Sequence, residues 1–186
     1  MSGSGHQAVP PNADFRVHSN SETATDRLGQ LLSDVLCPGI TIALNGQLGS
    51  GKTHFVRSLC RGLGADPAQV NSPTFVLLQV YPDGRIPVAH FDSYRLADTD
   101  EFLAIGADEF LNSDEFLCVV EWADPVRDAL PPDRLTIDIT QTGCESREFL
   151  IRADGPRSTD VLTRLIQRTQ TADSDANRHQ HANRES

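Results

Sequence analysis

Eight consecutive residues, GQLGSGKT at 46–53, bring together three glycines, a lysine and two hydroxyl residues. That combination suits the capture of phosphate. Glycines let the backbone approach an anion closely and adopt positive φ, so successive N–H groups curl around phosphate oxygens. A helix beginning near Lys52 adds its unsatisfied N–H groups and the positive end of its dipole. Lys52 supplies a compact charge to β- and γ-phosphates, and the Thr53 hydroxyl can ligate Mg²⁺. The chain holds sixteen basic residues and Lys52 is its single lysine. A point charge, rather than an arginine's planar fork, stands where the phosphates would lie. Gly46, Gln47, Leu48, Gly49, Ser50, Gly51, Lys52, Thr53 and His54 are thus the candidate nucleotide contacts.

A phosphate loop also needs a carboxylate for its metal. Glu121 follows the apolar run FLCVV, where an acid at the carboxyl end of a buried strand would face the phosphates. Asp92 holds the same position after RIPVAHF and is the second candidate, for the metal or for the attacking water. Acids also follow strands simply as loop residues, and that plainer reading stays open for each taken alone.

The elements around these residues alternate. GITIALNG (39–46) reads as a buried strand entering the loop, and residues 53–63 as an amphipathic helix leaving it, stopped by Gly62 and Gly64. Phe15 and Val17 suggest a short first strand, followed by a helix with caps at 21–25 and leucines at helical spacing. PTFVLLQVY (73–81) and RIPVAHF (85–91) read as two strands joined at Pro82-Asp83-Gly84. One acidic amphipathic helix is expected over 99–111, burying Phe102, Ile105 and Phe110. LTIDI (135–139) and REFLIRA (147–153) alternate as a hairpin near a sheet edge. Ser158-Thr159-Asp160 caps a last helix. The pattern gives an α/β fold with a mixed, mostly buried sheet.

With 186 residues the chain suits one domain. Residues 14–169 hold the patterned segments, residues 1–13 read as a disordered lead-in, and 170–186 as a disordered polar tail. The net charge of −10 argues against direct binding to DNA or another phosphate backbone. From position 92 to 148 fifteen acids face four arginines, which reads as a solvated face or as a surface for a basic protein partner. No apolar run approaches a membrane span, and no leader pattern opens the chain. Cys37, Cys60, Cys118 and Cys144 lack metal-ligand spacing and read as reduced thiols of a cytoplasmic protein.

Four ordered motifs, GQLGSGKT (46–53), NSPTF (71–75), HFDSYR (90–95) and EW (121–122), resemble the TsaE family over residues 20–140 or so. The resemblance implies a three-layer αβα P-loop NTPase fold, ATP with Mg²⁺, and a bacterial role in making threonylcarbamoyladenosine in tRNA. It implies action on a TsaB–TsaD protein complex, with tRNA engaged only indirectly and ATPase activity weak until the partner docks. By the same transfer, Lys52 and the loop hold the phosphates, and Thr53 with Glu121 holds Mg²⁺. Thr74 sits in a switch-like segment near the γ-phosphate, and Asp92 belongs to a second cluster with His90, Tyr94 and Arg95. Trp122 matches the aromatic beside the metal acid. His90 reads equally as a structural histidine, and Tyr94 and Trp122 as packing aromatics. The chain departs from the family at Gln47, usually Asp, and at His54, usually Thr. Gln47 can orient water but cannot act as a base. A P-loop small-molecule or nucleoside kinase is the competing class, but no arginine-bearing lid is evident after residue 91. Guanine recognition through N-K-x-D is excluded, because the single lysine lies in the loop.

Overall fold

A computed structural model of the chain describes residues 14–182. The lead-in expected at 1–13 lies outside the described residues, as do 183–186 of the expected tail. One seven-stranded sheet runs in the order β1-β7-β6-β2-β5-β4-β3. Its strands are β1 (Asp14–Ser19), β2 (Thr41–Asn45), β3 (Leu78–Tyr81), β4 (Val88–Asp92), β5 (Leu117–Glu121), β6 (Leu135–Gln141) and β7 (Arg147–Ala153). The central four, β6, β2, β5 and β4, are parallel, while β1, β7 and β3 join antiparallel at the flanks. The sheet is therefore mixed, as the sequence pattern predicts.

Alternation along the strands builds two cores. Ile42, Leu44, Leu117, Val119, Leu135 and Ile137 point to one face. There they meet α1 (Glu22–Val35), α2 (Lys52–Leu63) and α5 (Pro156–Ala182). Ala43, Cys118 and Val120 point the other way, with Ala89 and Phe91 of β4, toward Phe102, Ala107 and Val126. Phe102 and Ala107 come from α3 (Thr99–Ala104) and α4 (Ala107–Leu111), and Val126 from a 3₁₀ segment at Asp124–Ala129. Helices on both faces of one sheet make the three-layer α/β arrangement. The strand before the loop, β2, has β5 on one side and β6 on the other. Such a reversal opens a crevice at the carboxyl ends of the strands.

Three segments differ from the sequence expectation. Residues 74–77 turn instead of extending, because the Pro73 carbonyl accepts the N–H groups of Val76 and Leu77. The strand starts only at Leu78. The acidic helix over 99–111 is two short helices, since Gly106 takes φ 80° between them. Phe102 is fully buried, while Ile105 and Phe110 are only half-buried. The last helix starts at Pro156 and runs through the expected tail to Ala182. Its first N–H groups, of Arg157 and Ser158, are capped by the Asp133 carboxylate from a distant loop. No glycine or proline interrupts it beyond Pro156, and the Thr171 and Ser174 hydroxyls donate back to carbonyls four residues earlier. All four cysteines are free thiols, with Cys60 and Cys118 buried in the core.

Candidate functional site

The loop between β2 and α2 owes its shape to three glycines with positive φ: Gly46 at 144°, Gly49 at 81° and Gly51 at 99°. A side chain at Gly46 would run into the Ile139 carbonyl, and one at Gly51 would fall 2.6 Å from Arg147 Nε. Arg147, buried at the start of β7, donates from Nε to the Ser50 carbonyl at 2.9 Å and braces the loop from outside. Sequence reading misses this residue, because its partner lies 97 positions away. Asp26 of α1 is another. It accepts from Ser58 and from Arg61 Nη1 on α2. These hydrogen bonds and the charges of His54 and Arg61 hold its carboxyl below the usual range, against the opposing effect of burial.

Lys52 begins α2 and is almost entirely buried. Its ammonium donates to the carbonyls of Gly46 at 2.7 Å and Gln47 at 3.1 Å. It also lies 3.7 Å from the centroid of the Trp122 ring, a cation–π contact. Burial holds Lys52 below the usual lysine range, and the charges of Glu121 and Asp92 oppose that lowering. Thr53 Oγ1 donates to Glu121 Oε1 at 2.8 Å and lies 3.1 Å from Oε2.

Glu121 and Asp92 end adjacent parallel strands and are register partners. Asp92 is buried. Its Oδ2 accepts from the hydroxyls of Ser72, at 2.8 Å, and Thr74. Its Oδ1 accepts the Tyr94 N–H at 3.0 Å. The turn that replaces the expected strand at 74–77 is what brings Ser72 and Thr74 over the carboxylate. Behind Glu121 lies fully buried His90, whose Nε2 donates to Oε1 at 2.9 Å. Tyr81 and Ser93 complete the surroundings and escape sequence reading. The Tyr81 hydroxyl sits 3.3 Å from His90 Nδ1, and burial pushes it up to about 12. Ser93 Oγ donates to the Trp122 carbonyl at 2.5 Å and lies 3.1 Å from the Glu121 carbonyl. It ties down Trp122 at φ 58°, strained for a non-glycine residue.

These groups line one cleft of about 400 Å³ that holds Leu48, Gly49, Gly51, Lys52, Thr53, His54, Thr74, Asp92 and Glu121. That volume falls within the range of small-molecule sites. Gly46, Gln47 and Ser50 line a second recess beside the end of β6 instead. His54 lies at the cleft, but its Nε2 faces Asp26 Oδ1 at 3.0 Å, off the hydrogen-bonding direction. The ring is engaged with α1. Among the described residues no cluster of three or more His, Cys, Asp or Glu side chains could hold a metal ion. A divalent ion here would therefore rest on Thr53, Glu121 and its ligand's own oxygens. A hydroxyl and a carboxylate are hard oxygen donors of the kind Mg²⁺ prefers.

Residues 19–149 match the family model of the threonylcarbamoyl adenosine biosynthesis protein TsaE. The chain belongs to the TsaE family. It is 39% identical over 133 residues to the tRNA threonylcarbamoyladenosine biosynthesis protein TsaE of Bacillus subtilis, covering 72% of this chain and 82% of that relative. With the protein of the same name from Treponema pallidum it shares 38% identity over 137 residues, covering 74% and 99% of the two chains. The fold matches a crystal structure of Bacillus subtilis YdiB with a TM-score of 0.71 and 28% identity, over 86% of this chain and 98% of that one. Membership of the TsaE family ties the chain to threonylcarbamoyladenosine biosynthesis. Among the described residues no helix is long and apolar enough to cross a membrane.

Proposed function

We propose that the chain binds ATP with Mg²⁺ and hydrolyses it in the service of tRNA threonylcarbamoyladenosine synthesis, acting on a TsaB–TsaD complex. The convergence of Lys52, Thr53, Asp92 and Glu121 on one cleft at the carboxyl ends of parallel strands carries this reading. Loop N–H groups and Lys52 hold the phosphates, with Lys52 leaving the loop carbonyls to meet them. Thr53 Oγ1 and Glu121 hold Mg²⁺, which when bound would neutralise charge on the phosphates. Asp92, fixed by three donors, orients the attacking water, and Thr74 borders the γ-phosphate.

The partner reading rests on the rim of the cleft. Leu48, Phe75, Val76 and Tyr94 are large apolar groups left in solvent around its mouth, with Phe75 exposed at 82%. Such a cluster marks a protein-binding surface. A docked partner would order residues 72–76 against the γ-phosphate and raise a low intrinsic turnover. The test is ATP turnover by the purified chain, alone and with TsaB–TsaD, alongside formation of the modified nucleoside. A large gain on mixing is expected. Full turnover alone, with no gain, overturns the coupling.

A further inference from the structure

We propose that His90 is a positioning residue that fixes the Glu121 carboxylate for its metal. The inference rests on the nucleotide-and-Mg²⁺ reading of the cleft. His90 sits inside β4, one strand over from Glu121 and without solvent exposure. The two oxygens of Glu121 are not equivalent. Oε1 takes the His90 Nε2 proton at 2.9 Å and the Thr53 hydroxyl at 2.8 Å. Oε2 has only the longer 3.1 Å contact to Thr53. Pinning Oε1 from behind stops rotation of the carboxyl group and leaves Oε2 with free lone pairs beside the Thr53 hydroxyl.

His90 is itself held. Its Nδ1 lies 3.3 Å from the Tyr81 hydroxyl, which also lies 3.3 Å from the Asn71 carbonyl. The chain Asn71–Tyr81–His90–Glu121–Thr53 therefore runs from the segment preceding residues 72–76 to the first turn of α2. A carbonyl, a phenol and an imidazole set one carboxylate's orientation, as outer partners do for ligands of metal sites. Phe91 and Ala89, the neighbours of His90 on β4, point into the opposite core. His90 pairs in register with Val119, two residues before Glu121 on the same face of the sheet, and reaches the carboxylate diagonally.

The test measures Mg²⁺ binding apart from turnover. Trp122 is the chain's single tryptophan and lines the cleft, so its fluorescence reports titrations with a non-hydrolysable ATP analogue. Nucleotide affinity is measured first in EDTA, then Mg²⁺ affinity at saturating analogue. In His90→Leu we expect metal-free nucleotide affinity to stay near wild type while Mg²⁺ affinity falls about 10–100-fold. His90→Gln, which can still offer an N–H to Oε1, recovers most of that loss. Tyr81→Phe removes the outer tether and weakens Mg²⁺ about threefold or more in the same direction. Should His90→Leu fail to fold, the Tyr81→Phe and His90→Gln titrations decide alone. Unchanged Mg²⁺ affinity in Tyr81→Phe overturns the proposal. So does a parallel loss of metal-free nucleotide affinity in the folded variants, which would mark a merely structural histidine. A wild-type chain that binds no nucleotide in EDTA or in Mg²⁺ instead overturns the reading beneath it.

Discussion

Lys52 is buried, yet its ammonium rests only on two loop carbonyls and one aromatic face. Truncation therefore removes little packing. Lys52→Ala is expected to keep the fold, with a small change in melting temperature, and to weaken nucleotide binding. Hydrogen bonds to charged groups are worth about 1.5–3 kcal/mol, so the loss should be roughly 10–100-fold. Calorimetric titration with ATP and Mg²⁺ measures it, and wild-type affinity would remove the phosphate-loop assignment. Glu121→Gln keeps shape and the Thr53 contact but loses the charge proposed to anchor a divalent ion. It is expected to retain nucleotide binding in EDTA while losing Mg²⁺-dependent hydrolysis. Unchanged Mg²⁺ dependence would hand the metal to Asp92. The pH dependence follows from burial. Because Lys52 titrates below its ordinary 10.5, the folded chain releases this proton at lower pH than the unfolded one. The ammonium proposed to meet the phosphates is then lost as pH rises through that lowered value. ATP affinity should fall as pH rises through the alkaline range, below the ordinary lysine value, in wild type and stay low and flat in Lys52→Ala. An affinity steady across that range would show that Lys52 is not the group responsible.

At the next scale, α2 fixes Lys52 and Thr53, and α1 fixes α2. Gly29 makes that helix contact close. A Cβ there would lie 2.7 Å from Ser58 Cβ and 3.1 Å from the Leu59 backbone nitrogen. Gly29→Ala is expected to cost about 1–3 kcal/mol, against the gain in helix propensity that alanine brings on an exposed helix. Denaturant unfolding checks the sign, and a stabilised variant would mean the helices separate at no cost. The loop between β2 and α2 is legible in sequence because its glycines, lysine and hydroxyl are local and the helix period starts at once. Glu121 and Asp92 are legible for a related reason, each ending a short apolar run. Residues 74–77 are not. Phe75 and Val76 have the composition of a strand, but Asp92 draws in Ser72 and Thr74 and the Pro73 carbonyl closes a turn. Arg147, Tyr81 and Asp133 escape notice because each acts on an element distant in sequence, through register or a long-range cap. The break at Gly106 is a conformational choice that an amphipathic period over 99–111 conceals. The polar composition of 170–182 likewise hides the continuation of the last helix.

The whole molecule presents a cleft whose mouth is apolar and whose neighbourhood is acidic. Phe75 and Val76 stand out from the turn that carries Thr74, and the Arg95 guanidinium lies over the Phe75 ring, 4.3 Å from its centroid. Exposed apolar side chains on a segment touching Asp92 make sense if a second protein covers them. A net charge of −10 would favour a partner with a basic surface and speed their encounter at low salt. The double variant Phe75→Ala, Val76→Ser separates docking from chemistry. It removes no contact to Lys52, Thr53, Asp92 or Glu121, and the Ser72 and Thr74 hydroxyls remain on Asp92. Stability and nucleotide affinity of the isolated chain should stay at wild-type values, while stimulation by TsaB–TsaD should fall at least about tenfold, as when apolar anchors are lost from an interface. Raising salt should slow association of the wild type without abolishing it, because apolar contacts are not screened. Turnover of the double variant measured against partner concentration distinguishes the outcomes. A rightward shift with the same plateau marks weakened docking, and a lowered plateau marks a turn that must be ordered to help catalysis. A curve identical to wild type would place the partner on another face of the molecule.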